Sequence, residues 1–96
     1  MAILYKYKFD NDIDFDDVED TLLLATAAVE SLHSKARLSM DLQYWTEPQH
    51  GAVILDGGTL AGQDLAAIFT GLLRHALPKR RFSIRRIVDY RRDAHV

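Results

Sequence analysis

Residues 52–59 read Ala52-Val53-Ile54-Leu55-Asp56-Gly57-Gly58-Thr59, an apolar run that stops at a turn. A continuous apolar run of this length predicts a strand that is covered on both faces and is therefore central in a sheet. The Asp-Gly-Gly sequence ends that strand. Thr59 then has the side chain of a good helix N-cap. This stretch therefore predicts a central strand, a tight turn and the start of a helix.

On the C-terminal side, the helix is expected to run from Thr59 to about Leu77, because Pro78 cannot continue it. Its predicted buried face consists of Leu65, Phe69, Leu72 and Ala76, flanked by Ile68 and Leu73. A last strand is expected from Phe82 to about Val88. The domain is expected to span residues 1–90, and the charged tail 91–96 is expected to be frayed.

On the N-terminal side, Pro48 and Gly51 predict a hairpin loop, preceded by a strand from Arg37 to Trp45. The first strand, Ile3–Phe9, alternates with period two. A helix is expected between these two strands, from about Asp14–Asp17 to about Ser34, because aspartates suit its N-terminus. The first strand is expected to point Ile3, Tyr5, Tyr7 and Phe9 to the core. The helix is expected to present one apolar stripe, formed by Val18, Leu22, Ala25, Val29 and Leu32.

The order of elements is therefore β-α-β-β-α-β. Tight loops join antiparallel strands, whereas a helical connection allows the chain to cross over. The simplest assembly is an α+β, two-layer split β-α-β sandwich of the ferredoxin-like kind, with both helices on one face of a mainly antiparallel sheet. Its expected strand order is 4-1-3-2. This architecture supports many unrelated functions and so predicts none by itself.

The composition is that of a small soluble domain: 96 residues, 48% hydrophobic and 27% charged, with no cysteine. Without cysteine there can be no disulfide, thiolate metal site or thiol nucleophile. The lysines within the first apolar stretch do not fit a signal peptide. The helix-like apolar run Leu22–Val29 is too short to cross a bilayer. A cytoplasmic location is expected, without membrane attachment.

No residue pattern indicates catalysis, a metal or a cofactor. The acidic run from Asp10 to Asp16 resembles the start of an EF-hand loop, but Phe15 and Thr21 stand where that loop needs Gly and Glu. The turn at Asp56–Thr59 lacks the spacing of a phosphate-binding loop. The histidines are scattered, and no serine has a nucleophile-elbow context. We therefore expect a protein that is not an enzyme.

Two features favour a non-catalytic protein-interaction or self-association module. The first is an apolar group opposite the packed stripe of the first helix, formed by Leu23, Leu24 and Ala27. The second is Trp45, expected on the open face of an edge strand, since large aromatics are common at interfaces. These four residues are the predicted interaction surface, with a protein partner or a second copy as the occupant.

The alternative is nucleic-acid or other polyanion binding. The net charge of −2 hides eight acidic residues without Lys or Arg from Asp10 to Glu30, and a basic region after residue 78. The predicted polyanion-binding residues are Lys79, Arg80, Arg81, Arg85 and Arg86. A base-stacking sheet, however, carries aromatics on its first and third strands. The third strand here has none, which makes this alternative the weaker one.

Overall fold

The computed structural model describes residues 2–34, 42–77 and 81–89. Within these residues the chain forms four strands, two α-helices and one short 3₁₀ turn. In chain order they are β1 (Ala2–Phe9), α1 (Phe15–Glu30), β2 (Tyr44–Glu47), the 3₁₀ turn (Pro48–His50), β3 (Ala52–Asp56), α2 (Leu60–Ala76) and β4 (Phe82–Asp89). The predicted tail 91–96 lies outside the described residues.

The sheet has the order β2-β3-β1-β4, and each neighbouring pair is antiparallel. This confirms the predicted order and the ferredoxin-like α+β sandwich. Tyr7, Val53 and Leu55 project from one face of the sheet into a single buried cluster. The buried stripes of both helices join that cluster, so α1 and α2 cover the same face.

Both helices begin where their capping residues predict. The Asp14 carboxylate accepts a hydrogen bond from the backbone N–H of Asp16 at 3.0 Å. The Thr59 hydroxyl accepts one from the N–H of Gly62 at 3.0 Å. Each bond satisfies an N–H that the helix itself cannot pair.

The end of α1 differs from the prediction. The helix ends at Glu30 instead of continuing to Ser34, because Ser31 and Leu32 donate to the carbonyls three residues earlier, Ala28 and Val29. Such bonds tighten and end an α-helix. Leu32 consequently leaves the buried stripe on which it was predicted, and 64% of its surface is exposed.

Strand β2 also differs from the prediction of Arg37–Trp45. It begins at Tyr44 and continues through Thr46 and Glu47, which pair with Val53 and Ala52. The reversal is made later in the chain, by the 3₁₀ turn and by Gly51 in the left-handed conformation with φ 59°. Residues 37–41 of the predicted strand lie outside the described residues.

The packed face of α2 is shifted slightly from the predicted one. Leu65 and Phe69 are buried as expected, but Leu73 completes the face, whereas Leu72 is half-buried and Ala76 is exposed. Gly62 is buried in the first turn of this helix. A Cβ placed on it would overlap the backbone carbonyl oxygen of Asp56, so a glycine is required for the helix to start so close to the end of β3.

Candidate functional site

The outer side of α1 carries the predicted apolar group. Leu23 and Leu24 are each 61% exposed, and Ala27 is also exposed. They lie there because Val18, Leu22, Ala25 and Val29 place the opposite side of the helix in the core. Among the described elements, none packs on that outer side. We call Leu23, Leu24 and Ala27 the outer patch.

Leu32 is exposed just beyond the C-terminal end of α1. Leu60, the first residue of α2, is 71% exposed. It lies at the same end of the helix layer, where His33 Nε2 meets Asp64 Oδ2 at 2.8 Å. The sequence pattern does not predict the exposure of either leucine, since that of Leu32 depends on where α1 ends and Leu60 is a single apolar residue after an N-cap.

The charges that α1 itself places around the outer patch have one sign. Helix α1 contains five carboxylates and no Lys or Arg, and its last turn has no basic residue. Asp16, Asp17 and Asp20 precede the leucines, and Glu30 follows them, all exposed. On α1 the patch is therefore flanked by carboxylates only, which we call its acidic surround.

Trp45 lies on the other side of the molecule. Residues directly opposite one another in antiparallel strands share a face, and Trp45 stands opposite Ile54, which stands opposite Lys6. This row belongs to the open face of the sheet, and Trp45 is 39% exposed there. The structure thus places Trp45 as predicted, but it separates Trp45 from Leu23, Leu24 and Ala27 by the thickness of the sandwich.

The five predicted polyanion-binding residues do not form one described surface. Arg81 forms ion pairs with Asp10, at 3.1 Å, and with Asp12. Arg85 and Arg86 are successive residues of β4, so their side chains leave opposite faces of the sheet. Lys79 and Arg80 lie outside the described residues. Of the five predicted polyanion-binding residues, Arg81 is therefore paired with the acidic loop, and Arg85 and Arg86 point to opposite faces of the sheet.

A groove between α2 and β4 was not predicted. It has a volume of about 500 Å³. Its floor includes Tyr5, Tyr7 and Ile84, and its helical wall includes the small residues Ala67 and Gly71. The groove exists because α2 sits above β1, with the Tyr7 and Phe69 rings 4.9 Å apart, and leaves Ile84 of β4 40% exposed. The sequence pattern does not predict the groove, because the groove forms only when β4 pairs with β1, which is distant in the chain.

The Tyr7 phenol is the buried polar group of this groove. Its Oη lies 2.7 Å from the Thr70 hydroxyl oxygen and donates to the Ala66 carbonyl at 3.2 Å. Burial raises the pKa of Tyr7, against the opposing effect of the hydrogen bond to Thr70. The phenol therefore stays neutral and holds β1 to α2.

We predict that Tyr7→Phe costs about 0.5–1.5 kcal/mol of unfolding free energy at neutral pH, the usual net value of a hydrogen bond. Above the ordinary tyrosine pKa of 10.0, the unfolded chain releases the Tyr7 proton before the folded chain does. The unfolding free energy of the wild type must then fall as the pH rises through that window. Tyr7→Phe should lose less unfolding free energy at alkaline pH than the wild type does.

Urea unfolding at neutral and alkaline pH measures both effects, with Tyr44→Phe, the loss of an exposed phenol, as the control. Equal alkaline losses in Tyr7→Phe and the wild type would contradict the prediction.

The remaining candidate motifs have structural partners. Asp14 caps α1, and Asp56 Oδ1 accepts from the N–H of Gly58 at 2.9 Å within the Asp-Gly-Gly turn. His33 is paired with Asp64. Within the described residues no three His, Asp or Glu side chains are grouped as metal ligands would be. No helix in this part of the chain is long and apolar enough to cross a membrane.

Comparisons with known proteins add no assignment. No protein-family model matches the chain, and neither a curated protein nor a solved structure matches it.

Proposed function

We propose that this domain is a non-catalytic protein-interaction module, and that a partner protein docks on the outer patch. The observation that carries the proposal is the pair Leu23–Leu24, 61% exposed in the middle of a helix whose opposite side is closed by the core. Full burial of one leucine side chain stabilises a contact by about 1.5–3 kcal/mol. Two adjacent leucines on a rigid helix therefore supply much of the energy of a small interface.

The acidic surround indicates the chemistry of the partner. A complementary surface would be apolar at its centre and would carry Lys or Arg at its rim, since opposite charges across an interface favour encounter and fix the orientation. A second copy docked through the same helix, α1 antiparallel to α1, would bring Asp17 close to Glu30 of the other copy. Like charges at that distance repel, so a different protein fits this surface better than a second copy does.

The polyanion alternative has weaker support. It needs a continuous basic surface, whereas Arg81 is held by Asp10 and Asp12, and Arg85 and Arg86 point to opposite faces. A cytoplasmic setting, which the cysteine-free sequence favours, is part of the proposal.

The double variant Leu23→Asp/Leu24→Asp tests the docking surface. Both side chains are exposed, so we expect a folding cost of about 1.5 kcal/mol, from helix propensity and from the like charges of Glu19 and Asp20 four residues earlier. Binding should weaken at least thirtyfold, because losing about 2 kcal/mol of apolar contact has that effect on the dissociation constant. The measurement is co-purification from cells that naturally express the protein, followed by titration with the protein recovered.

The matched control is Gln43→Asp/Gln49→Asp, which adds the same charge at exposed positions away from the outer patch. It should retain the partner. Retention of the partner by Leu23→Asp/Leu24→Asp, or equal loss in both double variants, would refute docking on α1.

Sedimentation velocity tests the self-association alternative. The like charges on α1 predict a monomer at low ionic strength, and any contact between α1 helices should strengthen when salt screens those charges, as at about 1 M. A dimer that is stable at low salt and is abolished by Leu23→Asp would replace the hetero-partner proposal.

A further inference from the structure

Strand β4 is a long edge strand. It pairs with β1 at eight positions, from Phe82 opposite Phe9 to Asp89 opposite Ala2. No described strand lies on its other side, since β4 ends the order β2-β3-β1-β4. Such an edge offers backbone N–H and C=O groups to another extended chain. The opposite edge is only four residues long, so β4 is the better template for an added strand.

A second copy of β4 is a poor occupant of this edge. Arg85 and Arg86 lie at the middle of the strand. Every antiparallel register that overlaps nearly all of β4 with its copy sets an arginine directly opposite an arginine. Like charges directly opposite destabilise a strand pair. An acidic strand would meet the same two positions with attraction.

The groove described above runs beside this edge, on the helix side of the sheet. Side chains of an added strand that point to that side would enter it next to Ile84. Gly71 lines the groove, and a Cβ at this position would meet no atom within 4 Å, so the wall leaves room there. The described lining contains no acidic residue. Its only charged member is Arg74.

The arginines of the groove and of β4 are available to a ligand: Arg74 and Arg86 lie on the groove side of the sheet, and Arg85 lies on its open face. Arg74, Arg85 and Arg86 are exposed. No described carboxylate forms an ion pair with any of them, in contrast to Arg81. The apolar floor and the basic surround together match a segment in which acidic and apolar residues lie side by side.

We propose that the outer edge of β4 and the groove between β4 and α2 bind an extended acidic segment of a partner protein, which adds to the sheet as a fifth strand. This mode of recognition uses backbone hydrogen bonds for affinity and side-chain pockets for specificity. A nucleic acid fits less well. It cannot pair with a strand edge, Tyr7 is only 1% exposed, and the arginines on the two faces cannot follow one phosphate backbone.

A designed peptide is the probe for this site. The sequence acetyl-Val-Thr-Glu-Glu-Val-Thr-Val-amide, aligned antiparallel to β4, sets its glutamates opposite Arg85 and Arg86 and a valine opposite Ile84. The control peptide carries Lys-Lys in place of Glu-Glu. In ¹⁵N-correlated NMR spectra, the glutamate peptide should shift the amides of β4 and of the groove wall on α2, and the lysine peptide should not.

Charge reversal distinguishes a binding role of the arginines from a purely structural one, because only a binding role predicts opposite changes in the binding of the two peptides. Arg85→Glu/Arg86→Glu should weaken binding of the glutamate peptide about tenfold, from the loss of two cross-strand charge pairs. The same variant should bind the lysine peptide better than the wild type does. The glutamate peptide should bind Leu23→Asp/Leu24→Asp as tightly as it binds the wild type, which keeps this site distinct from the outer patch.

The wall of the groove offers a matched pair of variants. Gly71→Leu should fill the groove and abolish peptide binding, whereas Gly71→Ala should leave it unchanged. Circular dichroism checks that each variant is folded. Equal binding of both peptides, or no binding of the glutamate peptide at about 1 mM, an energy near 4 kcal/mol, would overturn the proposal. Binding of a single-stranded oligothymidylate but not of the glutamate peptide would also overturn it and would assign the edge to polyanions.

Discussion

Gly62→Ala is expected to destabilise the domain by about 3 kcal/mol, at the upper end of the usual cost of overpacking. The added methyl group would overlap the backbone carbonyl oxygen of Asp56, which no side-chain rotation can relieve. The start of α2 would have to move away from β3, and with it the hydrogen bond from Gly62 to the Thr59 cap. For a domain of this size the melting temperature should fall by roughly 12–24 °C.

Gly71→Ala is the matched control, in the same helix and with the same chemical change. Gly71 is exposed and a Cβ there would meet nothing within 4 Å. Helix propensity alone then acts, and it favours alanine by about 0.5–1 kcal/mol. Thermal unfolding of both variants should therefore give shifts of opposite sign. Two stabilised variants would show that α2 does not approach β3 as described.

Phe69→Ala should cost about 3–5 kcal/mol, the range for removing a large aromatic side chain from a core. Phe69 is fully buried, and its ring centroid lies 4.9 Å from that of Tyr7. The substitution would leave a cavity between α2 and the centre of the sheet. Chemical denaturation measures the loss.

Leu60→Ala provides the comparison for Phe69→Ala, because Leu60 lies in the same helix and is 71% exposed. Its change in unfolding free energy should stay within about 0.5 kcal/mol, as for other exposed positions. Similar losses in the two variants would mean that Phe69 is not part of the core.

Local patterns predicted the architecture well. The alternation of residues 3–9, the continuous apolar run of β3 and the caps Asp14 and Thr59 are all signals carried by neighbouring residues. The position of Leu23 and Leu24 also follows from helix periodicity alone. These signals were sufficient for the strand order and for the outer patch.

The features that the sequence reading missed depend on contacts between distant residues. Nothing near Gly62 in the sequence distinguishes it from Gly71, because the difference lies in the approach of Asp56. The groove depends on where α2 crosses β1, and the pairing of Arg81 with Asp10 joins residues 71 positions apart. The separation of Arg85 from Arg86 could have been inferred, since strand residues alternate between faces.

The central claim is that a protein partner covers the outer patch. Photo-crosslinking in the native cells tests it most directly, with benzoylphenylalanine placed at Leu24 and, as the control, at Gln49, which is exposed in the 3₁₀ turn between β2 and β3. We expect one dominant covalent adduct from position 24, lost when Leu23→Asp is added, and none from position 49. Equal adducts from both positions, or none from position 24, would contradict it.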